Sequence, residues 1–396
     1  MESPKRIAMV AYTFYDSDPR VRRHVAALVN AGYAVDLYCL VPRNGDNEGA
    51  NEQVRIFHLQ ERTYDRSGKL AIILDYVKFA FRCAGRLLKN HLGGAKYALI
   101  HINNMPNFLL LSALPLRLMG VRNLLDIHDT MPEIYQERFN VGPKQWMIRG
   151  LFFEEWVCMK LAGFVITTEH TKRDRLLQNG LRQDKSAVTL NLPDPALFPW
   201  TPLPDDPPPK GETFRLVYHG ALARRLGIDV AIQAVAKLGD CIPELRFDII
   251  GDGEFRSELV ELTEQLNVAH RVRFSDGFVP TVQLPEMLKG ASLGIVPSRN
   301  SIATQLMLPT KLLEYVWLGI PVITVPTPTI RRYFQESMVR FVAPEDPQAL
   351  AEAITRLYEQ PAERLAIARA ARQFFEQYSF ESERERYLSI VDTLAR

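Results

Sequence analysis

Lys311 and Glu314 stand three residues apart, with Tyr315 next, inside the stretch LPTKLLEYVWLGIPVITV from Leu308 to Val325. On a helix, residues three and four apart share a face, so an ammonium and a carboxylate would project together. Pro309 suits the opening turn, where its missing N–H would be unpaired in any case, and Gly319 suits the stop. The unpaired N–H groups of such a helix start, with a lysine beside them, suit a phosphate. The carboxylate suits the paired hydroxyls of a ribose. Pro321 and the apolar run Val322–Val325 then predict a buried parallel strand. The same pattern also describes a plain helix–strand unit whose Lys311 and Glu314 are solvated.

A second set lies in the first half. Tyr97–Asn103 (YALIHIN) and Leu124–Asp129 (LLDIHD) predict buried strands, each with a histidine near its C-terminal end, His101 and His128. In an open parallel sheet that end is where ligands bind. Asn103 and Asn104 follow the first histidine; Asp129 and Glu133 follow the second. A lone histidine near a core is usually structural, whereas two at equivalent strand ends make a candidate site. Earlier in the chain, Asp18 reads as a helix N-cap and Pro19 as a first helical residue. That places Arg20 and Arg23 near the same end of the sheet; Arg22 and Arg23 read equally well as surface charges. Asp16-Ser17-Asp18 has the D-x-D form of a divalent-cation motif, but capping accounts for Asp18, so no metal is assigned.

The elements that would carry these residues follow an α/β rhythm. Arg6–Ala11 and Val35–Leu40 predict strands, joined by a helix with Val21, Val25, Leu28 and Val29 as its buried stripe and Gly32 at its close. Gln53–Leu59, Phe164–Glu169 and Ala187–Leu192 predict further strands. Lys144–Leu161 predicts a helix with Trp146, Leu151, Phe152 and Trp156 in a core or interdomain position. Eight prolines between 193 and 214 exclude helix and central strand and predict a semi-rigid linker. The rhythm restarts with strands at Arg215–Ala221, Leu245–Ile250 and Leu293–Ser298, a strand and loop at Val272–Val279, and a helix at Gly227–Leu238. Gly220, at a strand end, permits close backbone approach. Gly251-Asp252-Gly253 lacks the third glycine of a dinucleotide fingerprint, with Arg256 in its place. Pro347–Gln377 predicts two helices and Phe380–Leu394 a last one. The predicted fold class is therefore α/β with two doubly wound, Rossmann-like parallel sheets. The domains are 1–192, a Pro-rich linker 193–214, a second domain 215–378 and a C-terminal helix segment 379–396.

Composition agrees with this division. A chain of 396 residues exceeds one ordinary core. Apolar content of 47% and charged content of 24% are those of a globular protein. No apolar run approaches the ~20 residues of a membrane span, and the first apolar run is too short for a signal peptide. Cys39, Cys83, Cys158 and Cys241 are scattered, which predicts reduced core thiols in a cytosolic protein rather than disulfides or metal ligands. A net charge of +2 argues against nucleic acid as a partner. The first 200 residues nevertheless carry +6 and the remainder −4. Lys69–Leu92 is a basic helical pattern with Phe79, Phe81 and Leu87 on it. It fits either peripheral contact with an anionic membrane or a packed helix with a solvated basic face.

Leu308–Val325 fits P-[TNS]-K-L-x-E-Y-x-x-x-G-x-P-V and resembles the C-terminal signature of the retaining GT-B glycosyltransferases of glycosyltransferase family 4 (glycosyl transferases group 1). Further motifs are similar to that family's: DPRVRR after Ser17, DIHDTMPEIY from Asp126, FVITTE from Phe164, the set Asn191, Pro193, Asp194 and Phe198, and YHGALARRLGID from Tyr218. The resemblance covers nearly the full chain. It implies two domains facing across a cleft, with the last helix crossing back to the first domain. It implies a metal-independent, hexosyltransferase-like enzyme without cofactor. The implied partners are a nucleoside-diphosphate-sugar donor and a glycan or lipid-linked acceptor in bacterial polysaccharide or lipid-linked glycan synthesis. The implied location is cytoplasmic, peripheral on the inner membrane face.

By the same resemblance, His128, Arg225, Lys311 and Glu314 are the catalytic set. Arg225 and Lys311 grip the diphosphate, Glu314 holds the ribose and His128 lies near the transferred sugar. Gly220, Gly277, Phe278, Thr304 and Thr310 join Arg225, Lys311 and Glu314 on the donor side. Arg20, Arg23, His101, Asp129, Glu133 and Glu169 form the acceptor side. Two positions depart from the family: Leu226 replaces a neighbouring lysine, and Leu306 stands where the first glutamate of E-x7-E is usual. A catalytically silent GT-B partner protein, or a GT-B nucleotide-sugar epimerase or phosphorylase, is the alternative.

Overall fold

Short apolar runs alternate with capped helices along both halves of the chain and fold into two parallel sheets. The computed structural model describes residues 4–42, 52–62, 69–207 and 213–396. Residues 208–212 of the predicted linker, and the side chains of Ser17 and Lys69, lie outside the described residues. The chain divides into two compact units, Met1–Asn191 with Glu381–Arg396, and Leu192–Phe380.

The first sheet is built from β1 (Arg6–Ala11), β2 (Ala34–Leu40), β3 (Val54–Gln60), β4 (Leu99–Asn103), β5 (Arg122–Ile127), β6 (Phe164–Thr167) and β7 (Ser186–Val188). Its order is β3-β2-β1-β4-β5-β6-β7. The order reverses between β1 and β4, the place where doubly wound sheets open a ligand crevice. β2 and β4 are buried at every residue, as expected of strands covered on both faces. The helix Pro19–Asn30 starts as its sequence predicts: Asp18 accepts a hydrogen bond from Arg20 N, and Pro19 is the first helical residue. Val21, Val25 and Leu28 are buried, Val29 is half-buried, and His24 takes an unpredicted place in the stripe.

The C-terminal helix Phe380–Leu394 packs on this sheet, with Tyr387, Val391 and Leu394 among Ile7, Met9, Val25 and Leu28. Burying each such side chain stabilises by roughly 1.5–3 kcal/mol. Glu383 accepts a hydrogen bond from Leu190 N at 2.8 Å, tying the helix to the end of the sheet.

The second sheet is built from β8 (Phe214–His219), β9 (Leu245–Ile250), β10 (Val272–Phe274), β11 (Leu293–Val296), β12 (Val322–Thr324) and β13 (Arg340–Phe341), in the order β10-β9-β8-β11-β12-β13. Here the reversal falls between β8 and β11. The proline-rich stretch is not a free tether. Trp317 Nε1 donates to Phe198 O at 2.7 Å, Trp200 packs edge-on against Trp317, and Arg369 donates to Pro204 O and Asp205 O.

Several sequence expectations change. Trp146 is 86% exposed and Trp156 is exposed too, while Leu151 and Phe152 are half-buried, because the helix Trp146–Leu161 buries the face of Ile148, Glu155, Cys158 and Met159 instead. Phe79 and Leu87 are fully buried and pack in the core with Cys83, leaving Phe81 as the outward aromatic of that trio. Cys39, Cys83 and Cys158 are buried thiols, but Cys241 is exposed. Pro347–Gln377 forms three helical segments, with Pro361 opening the second and Gln373 the third. No described helix is long and apolar enough to cross a membrane.

Candidate active site

In the second unit, β8 ends at His219 and turns through Gly220 at φ +107°, a region that favours glycine. A Cβ on Gly251 would stand 2.0 Å from Gly220 O, so the ends of β8 and β9 run in backbone contact. Lys311 reaches this turn from the helix Thr310–Leu318, whose N-cap is Pro309. Its Nζ lies 2.8 Å from Tyr218 Oη and 4.0 Å from that ring's centre. A Cβ on Gly220 would lie 3.4 Å from the same nitrogen. The ammonium is thus pressed between an aromatic ring and bare backbone. Burial lowers its pKa to about 7; Glu314 opposes the shift and Arg225 adds to it.

Glu314, one turn on, places Oε2 2.9 Å from His219 Nε2. His219 N donates to Tyr315 Oη at 3.0 Å, so β8 and the helix are locked beside the two charged groups. Arg225 is half-buried in the single turn Arg224–Leu226, and its carbonyl accepts from Arg299 N at 2.9 Å. Thr310 is exposed in the first turn. Gly277, at φ +77°, forms the turn after β10, and Phe278 beside it is 64% exposed. Thr304 is buried and its hydroxyl serves its own loop, accepting from Ser301 N at 2.9 Å and donating to Arg299 O. Gly220, Arg225, Lys311 and Glu314 come together; Thr304 braces the loop.

In the first unit, strand register sets Asn103 of β4 opposite Asp126 of β5. Asp126 is buried, and His128 Nε2 lies 2.8 Å from its Oδ2. Burial works to raise this carboxyl, but the surrounding imidazoles, His128 foremost, hold it well below the usual range. Asn104 pins the turn after β5: its Oδ1 accepts from His128 N at 2.8 Å and its Nδ2 donates to Asp129 O at 2.6 Å. A cavity of about 180 Å³ opens here, lined by Tyr12, Asp18, Arg20, Asn103, His128 and Asp129 among others. Arg20 forks onto Asp18 at 3.1 and 3.0 Å. Burial of Asp18 would raise its pKa, but Arg20 outweighs that and holds it at about 2.

The remaining acceptor-side candidates are engaged elsewhere. Arg23 donates to Asn191 Oδ1 at 2.5 Å. Glu133 is held in a fork by Arg175 at 2.6 and 2.9 Å. Glu169 is buried against Lys172, 2.8 Å away, and against the Thr168 hydroxyl. His101 is fully buried behind the cavity, 2.9 Å from Tyr387 Oη. Among the described residues, one group offers ligand atoms within 4.8 Å of one another: His24, His101 and Asp126.

Sequence reasoning missed several residues of these sites. Asp126 stands two before His128, and strand alternation puts such residues on one face. His24 sits on the buried stripe of its helix. His219 adjoins Gly220 within the YHG triplet. Lys172, whose Nζ reaches His128 O, and Tyr387, which arrives from the far end of the chain, left no local signal.

Residues 203–374 match the family described as Glycosyl transferases group 1, and residues 17–191 match the Glycosyl transferase 4-like domain. The chain belongs to the group 1 glycosyl transferases. It is 24% identical over 321 residues to the 2-deoxystreptamine glucosyltransferase of Streptomyces kanamyceticus, covering 77% of this chain and 76% of that one. It is 26% identical over 166 residues to the amylovoran biosynthesis glycosyltransferase AmsK of Erwinia amylovora, covering 41% of this chain and 40% of that one. Sucrose-phosphate synthase from Thermosynechococcus elongatus superposes with a TM-score of 0.78 at 20% identity, covering 98% of this chain and 99% of that one. Anabaena HepE, solved in complex with UDP-glucose, gives 0.72 at 15% identity, covering 98% and 99%. At such identities the structural likeness speaks for the fold, which is GT-B. The protein is a glycosyltransferase.

Proposed function

We propose that the protein moves a sugar from a nucleoside-diphosphate sugar to an acceptor hydroxyl with retention of configuration, and needs no metal ion for the transfer. The observation that carries this reading is the buried ammonium of Lys311, set against Gly220 with Arg225 and Glu314 around it. A buried ammonium and a half-buried guanidinium beside a helix N-terminus suit a diphosphate and the charge that grows on it as it leaves. Glu314 takes the ribose hydroxyls, held in place by His219. In the transfer, the bond from the sugar's anomeric carbon to the diphosphate oxygen breaks, and a bond to the acceptor oxygen forms on the same face. The acceptor's proton passes to the departing phosphate, so no protein base is required.

In the first unit, the cavity beside His128, Arg20 and Asp129 suits a polyhydroxyl ligand. A polysaccharide or lipid-linked glycan acceptor fits the relative named for amylovoran biosynthesis. Exposed Ile73, Leu74, Phe81 and Leu92, with exposed Lys78 and Lys89 on the same helical segment, support peripheral contact with an anionic membrane on the cytoplasmic side.

Leu306, in place of a carboxylate, keeps a silent GT-B partner as the second reading. Calorimetric titration of UDP, GDP, dTDP and ADP into wild type and Lys311→Ala, without metal and then with magnesium, decides between them. The transferase reading expects one nucleotide to bind without metal and Lys311→Ala to lose it. Folded wild-type protein that binds none of the four overturns it and leaves the silent partner.

A further inference from the structure

Three imidazoles of the first unit converge on one oxygen. His128 Nε2 lies 2.8 Å, His24 Nδ1 3.5 Å and His101 Nε2 3.6 Å from Asp126 Oδ2. All four residues are more than nine-tenths buried, and of the four only His128 lines the cavity. Both ring nitrogens of His128 are buried without a well-aligned hydrogen bond, and of the two Nε2 is the one set against a carboxylate. An ionised carboxylate accepts and cannot donate, so the nitrogen facing it must carry the proton. Which nitrogen of an imidazole is protonated is fixed by the partner of the other. With Nε2–H turned to Asp126, Nδ1 is left as the acceptor nitrogen of the ring.

A metal ion is the other use of such a set. Nitrogen and oxygen ligands would then surround an ion at about 2.0–2.2 Å each. The His24 and His101 nitrogens, 3.5 and 3.6 Å from Oδ2, stand at a separation that two ligands of one ion would also show; the 2.8 Å from His128 Nε2 is shorter, a hydrogen-bond distance, so for His128 the geometry favours a shared proton.

The two inner histidines are held from the far end of the chain. Tyr387 Oη lies 2.9 Å from His101 Nδ1, and the Tyr387 ring stacks on His24 with centres 4.3 Å apart and planes at 21°. We infer that Asp126 is a positioning residue for His128, fixing which of its ring nitrogens carries the proton, and that Tyr387 of the C-terminal helix holds the other two partners of that carboxylate in place. The effect on transfer rests on the function proposed above; the ring's orientation does not.

Full-length protein labelled with 15N-histidine tests this through long-range proton–nitrogen spectra of the imidazoles. Wild-type His128 should give the pattern of a ring protonated at Nε2. Asp126→Asn offers an amide that both donates and accepts, and should give mixed tautomers. Tyr387→Phe removes one hydroxyl, keeps the packing, and should move the His101 nitrogens and broaden those of His128. In the transfer assay, Asp126→Asn should lower kcat by about 10²-fold, the scale of a side chain misplaced beside the reacting centre, with nucleoside-diphosphate affinity unchanged. His128 signals unmoved in every variant that folds would overturn the inference. A stoichiometric shift of His24 and His101 on adding Zn²⁺ would overturn it too, by making the cluster a metal site. Wild type that transfers no sugar would remove the proposed function, while the spectra would still decide the role of Asp126.

Discussion

Raising the pH from 8 to 9 should weaken nucleoside-diphosphate binding about ninefold, because Lys311 must regain a proton to hold the diphosphate. A lysine ordinarily titrates near ~10.4. Lys311 titrates at about 7, chiefly because burial disfavours its charge. The charged fraction of the free protein is then about one in eleven at pH 8 and about one in a hundred at pH 9, and apparent affinity follows that fraction. Binding at pH 8 should take up about 0.9 proton. This window lies above the phosphate ionisation near ~6, so the nucleotide does not itself titrate. Calorimetry in two buffers of different ionisation enthalpy reads the uptake directly. The sign for stability is opposite. The folded pKa lies below the unfolded one, so the unfolded chain binds more protons between about pH 7 and pH 10, and stability rises with pH across that window. At pH 6 holding the ammonium charged costs on the order of 4 kcal/mol, and Lys311→Met should melt higher there while losing nucleotide. Zero proton uptake with flat affinity between pH 8 and 9 would refute the reasoning.

Glu314→Ala should weaken the bound nucleoside diphosphate by roughly tenfold to a hundredfold, the scale of hydrogen bonds to a charged group, and leave pyrophosphate binding intact. Equal losses for both ligands in calorimetry would take the ribose away from Glu314. Full-length wild type should sediment with vesicles of phosphatidylglycerol and phosphatidylethanolamine, and Phe81→Asp should release it. Wild type left in the supernatant would remove the membrane contact.

Strand and helix placement was legible because each element carries its own signal. β1, β9 and the helices at Pro19, Ile228 and Phe380 lie within a residue or so of their predicted bounds, since caps, prolines and apolar runs act locally. Facing was less legible. Trp146 and Trp156 read as core by residue type, yet burial depends on which neighbours a helix face meets: Trp146 is left 86% exposed, and Trp156 rests against the Gly180 turn while staying 41% exposed. Lys311 and Glu314 were singled out by their spacing within one motif, and His128 by its place at a strand end. Of the groups beside them, Asp126 lies two residues before His128 and was readable from strand alternation, whereas His219 comes from another strand and Tyr387 from the chain's far end, and only tertiary packing brings those two close. Glu133 and Glu169 illustrate the converse: as sequence they are motif carboxylates, while in the fold Arg175 and Lys172 occupy them.

The carboxylates engaged at the loop before Lys311 and the depressed lysine belong to one electrostatic account. The loop before the helix is braced by Arg299, which forks onto Asp229 at 2.9 and 2.7 Å, reaches Glu345 at 2.8 Å and donates to Arg224 O at 2.8 Å. Those carboxylates are used in holding the loop. No acidic residue lies between Ala291 and Leu313, so the loop adds no carboxylate of its own. Glu314 is the one acidic group that raises Lys311, and it is outweighed by burial, with Arg225 pushing the same way. The lysine therefore sits near its titration point at neutral pH, so that an incoming diphosphate, rather than the protein, supplies the negative charge that holds the proton in place.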